Sequence, residues 1–112
     1  MDVLARRLVT DAMWEIAGSL MPAPRPRRQG GGRAAADQRT VMAAVVYVIT
    51  SGCAWQNLPA AFGVTVPTAH RWFARWTRAD LWQNLYEATA DDPELAEWTR
   101  AIRDCASSRV YE

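Results

Sequence analysis

The chain has 112 residues, 50% of them hydrophobic and 22% charged, with a formal net charge of +1. That is one domain's worth of chain, too apolar for a disordered polymer, and its longest apolar run, Val41 to Ile49, falls far short of the ~20 residues of a membrane span. All 13 cations are arginine, and a net charge this low excludes a uniformly polybasic nucleic-acid binder while leaving room for a local basic face.

No apolar segment follows Arg6 and Arg7, so no secretory signal is expected and the chain reads as cytoplasmic. Cys53 and Cys105 stand far apart, without a second Cys or His at zinc spacing, and are expected to be reduced. His70 is the single histidine and cannot build a metal site by itself.

The first predicted helix runs from Thr10 to Leu20. Thr10 or Asp11 caps it, and Met13, Ile16, Ala17 and Leu20 share a face. Pro22 and Pro24 end it. The stretch Pro22 to Arg33 holds three prolines, three consecutive glycines and Arg25, Arg27, Arg28 and Arg33. It reads either as a solvated linker or as an arm that follows phosphates or enters a minor groove.

Asp37 is expected to cap the next helix, whose residues Val41, Ala44, Val45, Val48 and Ile49 make it the central core helix. Gly52 closes it. Trp55, Leu58 and Phe62 then line one side of a short helix of one or two turns, limited by Pro59 and ended by Gly63.

A further helix begins near Thr65 to Pro67. Ala69, Trp72, Phe73 and Trp76 form its expected apolar face. Arg71, Arg75 and Arg78 repeat at i, i+4 and i+7, one stripe of a helix surface, with His70 beside them. Asp80 starts a helix carrying Leu81, Trp82, Leu85 and Tyr86. The acidic stretch Asp91 to Glu94 caps a last helix that ends near Arg103.

A short helix, a glycine turn and a helix with a basic stripe suit a helix-turn-helix, in which the second helix enters the major groove. Thr65, Thr68, His70 and Arg71 are the candidates for reading base edges. Arg75 and Arg78, farther along, are candidates for phosphate contacts. The plainer alternative is a helical bundle with a solvated arginine face.

The run Thr50 to Gly63, TSGCAWQNLPAAFG, resembles a signature at the N-terminus of bacterial insertion-sequence transposases of the DDE superfamily. Trp14 to Pro24, the step into Asp37-Gln38-Arg39, and Arg71, Trp72, Phe73, Arg75 and Trp76 resemble further segments of that family. The likeness extends over roughly Thr10 to Arg109. It implies recognition of the terminal inverted repeats of a mobile element. Trp98 to Arg109 resembles the first strand of the family's catalytic domain. By that likeness Asp104 matches the first of three carboxylates that hold two divalent metals, with Ser107 and Arg109 as its neighbours.

One carboxylate cannot assemble a two-metal site. Asp91, Asp92, Glu94 and Glu97 read as capping and surface acids. The isolated chain is therefore expected to lack strand-transfer activity and to need no cofactor, magnesium being expected only for a complete transposase. It would be a first reading frame or a relic, and a lone strand at its end would fray or turn helical.

The expectation is an all-α domain of four to six helices containing a helix-turn-helix. Its segments are an N-terminal helix (1–21), a linker or arm (22–36), a core (37–90) and a C-terminal helix opening into a catalytic fragment (91–112). Double-stranded DNA is the expected partner, with no membrane. The alternative is an interaction or dimerisation module that pairs with itself or with a full-length transposase.

Overall fold

A computed structural model describes residues 7–21 and 38–109. The expected caps and arm at Asp37, Arg25, Arg27, Arg28 and Arg33 lie outside them. The described residues form helices α1 (Asp11–Leu20), α2 (Gln38–Ser51), α3 (Val66–Arg78), α4 (Leu81–Ala88) and α5 (Pro93–Ser108), with no strand among them. The domain is all-α, as the apolar periodicities require.

Helix α2 is the centre. Val41 to Val46, Val48 and Ile49 are all buried, so the helix is covered around most of its circumference. Each of the valine, methionine and isoleucine side chains contributes about 1.5–3 kcal/mol when fully withdrawn from water. This outweighs the weak helix preference of its β-branched residues. Helices α3 and α5 pack against α2, and α4 packs against α1, α3 and α5. Trp76, Trp82, Leu81, Leu85 and Ile102 complete the core, together with Met13 and Ala17 of α1.

The helix ends follow from their local chemistry. Thr10 accepts a hydrogen bond from the Met13 amide and caps α1. Met21 is extended (ψ 144°), the conformation favoured before a proline, and α1 ends there. Gly52 (φ 75°) and Gly63 (φ 70°) take left-handed backbone, which glycine enters without a Cβ penalty. Asp92 caps α5 through the amides of Glu94 and Leu95. That helix runs to Ser108, five residues beyond the expected end near Arg103.

Residues 55–62 differ from the expected short helix. They form two 3₁₀ turns, Trp55–Asn57 and Ala60–Phe62. Leu58 is extended (ψ 122°) ahead of Pro59, and a proline there prevents an α-helix from continuing through. Leu58 and Phe62 are still buried, while Trp55 is half-buried. The element that precedes α3 and packs against it as a helix is therefore α2.

Polar ties join distant parts of the chain. Arg39 binds the Val9 carbonyl at 2.9 Å and the Asp11 carboxylate at 2.7 Å, fixing α1 to α2. The Trp98 indole donates to the Leu8 carbonyl at 2.8 Å. Thr89 and Thr99 share a buried hydroxyl–hydroxyl bond of 2.7 Å between the end of α4 and α5. No helix among the described residues is long and apolar enough to cross a membrane.

Candidate nucleic-acid interface

Helix α3 has the sharpest division between faces. Ala69, Phe73 and Trp76 are buried. Arg71 and Arg78 are exposed and Arg75 is half-buried. These three arginines and Trp72 line one surface concavity of about 310 Å³. Among the described residues no carboxylate lies within ion-pairing distance of any of the three. The Arg75 guanidinium rests over the Trp72 ring at 5.1 Å. Three like charges thus stand together on a helix face with no acidic partner among the described residues.

Trp72 departs from its expected place in the core. It is half-buried on the shoulder between the inner face and the stripe. Its ring meets Trp76 at 5.4 Å. Of the α3 aromatics, Phe73 packs on residues 55–62, at 5.3 Å from Trp55. Trp76 instead meets Trp82 of α4 edge-on at 6.0 Å. The signal for Trp72 was available in the sequence, since at about 100° per residue Trp72 lies about 60° from Arg75 around the helix, nearer the stripe than Phe73 or Trp76.

The α3 N-terminus is built by the two threonines singled out from the sequence. Thr65 is the N-cap, accepting from the Thr68 amide at 3.3 Å. Its hydroxyl also donates to the Thr68 hydroxyl at 2.8 Å. The Thr65 proton is thereby committed, whereas the Thr68 hydroxyl retains its own to donate. Pro67 sits in the first turn, where its missing N–H is harmless.

His70 is exposed but flanks the stripe on the side away from Trp72. It faces Trp55 edge-on at 5.2 Å. Arg109, at the end of α5, lies over the same tryptophan at 5.7 Å and donates to the Cys53 carbonyl. It is buried, so it ties the end of α5 to the turn after α2.

Asp104 lies within α5, in a helix rather than a strand, and is exposed. Its carboxylate pairs with adjacent Arg103 at 2.8 Å. Among the described residues no group of three or more His, Cys, Asp or Glu is placed to hold a metal ion. The donor set around Asp104 does not fit a two-metal centre, so no catalytic step is assigned to it. Ser107 is exposed on the same helix. Cys53 and Cys105 are free thiols.

A helical domain whose described residues leave an arginine stripe without an acidic partner defines a class of compact basic-faced modules. Residues 9–86 match the family model described as "Putative transposase of IS4/5 family (DUF4096)". The match covers more than half of the chain, and the chain belongs to that family. It is also similar to the "Insertion element IS402 uncharacterized 16.2 kDa protein" of Burkholderia cepacia, with 29% identity over 112 residues, 96% of this chain and 76% of that protein. No solved structure matches the chain.

Proposed function

We propose that this chain is a DNA-recognition module of an insertion-sequence transposase and that α3 carries its recognition surface. The observation that supports this reading most strongly is the stripe of Arg71, Arg75 and Arg78, which lines one concavity without a carboxylate partner among the described residues. Unpaired cations on a rigid helix attract a phosphate backbone and release its counterions. Family membership supplies the biological setting.

In this reading α2 and α3 are the paired helices, joined by the two 3₁₀ turns. The connection is longer than the three or four residues of the usual helix-turn-helix turn. Arg71 and the free Thr68 hydroxyl, near the start of α3, face base edges. Arg75 and Arg78 contact phosphates. Thr65 shapes the helix start, and His70 is a flanking contact. Arg25, Arg27, Arg28 and Arg33 supply a second basic contact in an adjacent groove. The target is the terminal inverted repeats of the parent element.

The test is fluorescence anisotropy of the purified chain on duplex DNA over a salt series, comparing element ends with scrambled sequence. Tight, salt-steep binding that prefers the element ends is the expected outcome. Absence of binding even at low salt would overturn the proposal. Concentration-dependent mass without DNA affinity would instead favour an interaction module.

A further inference from the structure

The α3 groove holds a feature that phosphate binding does not use. Trp72 is half-exposed on a helix whose other large apolar residues, Phe73 and Trp76, are buried. It shares its concavity with Arg71, Arg75 and Arg78. Its ring meets buried Trp76 at 5.4 Å on the core side, and the Arg75 guanidinium rests over it at 5.1 Å. In an intact duplex both faces of each internal base are covered by neighbours. An indole can therefore stack only on a base that has left the stack or ends it. Such stacking stabilises single-stranded DNA in many binding sites by about 1–3 kcal/mol per base. The groove, at about 310 Å³, lies at the lower end of small-molecule sites, which span roughly 300–1,000 Å³.

We infer that Trp72 is a stacking platform for one unpaired nucleotide, so that this groove prefers duplex DNA bearing a single-stranded flank over fully paired DNA. The inference rests on the proposed DNA-binding role of α3. On binding, the base takes the place of Arg75 over the indole, and the Arg75 guanidinium moves to the adjoining phosphate.

The test uses the full chain and two labelled DNAs of the same sequence, one blunt and one with a three-nucleotide single-stranded flank. The flanked DNA should bind about five-fold tighter or more. Trp72→Leu should erase that difference, and Trp72→Phe should keep most of it. Equal affinity of the native chain for the two DNAs would overturn the inference and leave the DNA-binding role standing. This arm needs no variant and is immune to misfolding. A preference that survives Trp72→Leu would also overturn it. Binding to neither DNA would remove the DNA-binding role as well.

Discussion

Helices α3 and α5 are both amphipathic and both carry arginines, yet the two sets of arginines are used differently. In α5, Arg100 is exposed with no ion pair among the described residues, but Arg103 pairs with Asp104 and lies over Tyr86 at 4.6 Å. Arg109, at its end, is buried over Trp55 and bound to the Cys53 carbonyl. In α3, Arg71, Arg75 and Arg78 have no carboxylate partner among the described residues, and one of them rests on an aromatic ring. Sequence marks the two sets alike. The surroundings separate a charge that holds the fold together from one left available for a ligand.

The strongest way to break this contrast is to attack the inner face of α3. Trp76 is fully buried against Trp72 and Trp82. Trp76→Ala should cost about 3–5 kcal/mol of stability in denaturant titration. An unchanged midpoint would mean that α3 is not anchored as described.

The arginines sharpen the contrast. Arg109→Ala should cost about 1–3 kcal/mol, because it strips a hydrogen bond from a part-buried carbonyl. At a temperature where the variant is folded, its DNA affinity should match that of the native chain. Arg71→Ala should do the reverse. Stability should stay within about 0.5 kcal/mol, while preference for the correct site falls by about 1–3 kcal/mol. A loss shared equally by all sequences would assign Arg71 to the phosphates.

The smallest expected effect lies at the joint between α3 and α4. Asp80 adopts left-handed backbone (φ 57°), and its side chain makes no capping hydrogen bond. Asp80→Gly should remove that strain and raise stability by up to about 1 kcal/mol in thermal denaturation. A clear loss would show that the Asp80 side chain contributes more than its geometry reveals.

Much of this was legible from residue order. The spacing of the α2 valines, the caps at Thr10, Thr65 and Asp92, and the left-handed glycines at 52 and 63 all follow from local chemistry. So does the stripe of three arginines, because i, i+4 and i+7 positions align on any straight helix. The break at Pro59 was only half legible. Proline forbids a continuous helix, but apolar spacing alone does not distinguish one short α-helix from two 3₁₀ turns. Trp72 was misplaced because hydropathy puts a tryptophan inside, whereas the packing of α2 and α3 leaves it on a shoulder. The burial of Arg109 depends on how α5 packs against α2, which residue order does not show. The helical state of Asp104 depends on what packs beside it. The family resemblance suggested a strand that would fray or turn helical when alone, and the packing of α5 against α2 and α4 gives a helix.

The most direct test of the central claim compares salt dependence in three proteins: the native chain, Arg71→Ala/Arg75→Ala/Arg78→Ala, and Arg100→Ala/Arg103→Ala. For each, the logarithm of duplex affinity is plotted against the logarithm of salt concentration. If the α3 arginines meet the DNA, the triple variant should flatten the slope by about one for each phosphate contact removed, and the α5 double variant should leave it unchanged. Equal slopes for the native chain and the α3 triple variant would contradict the account.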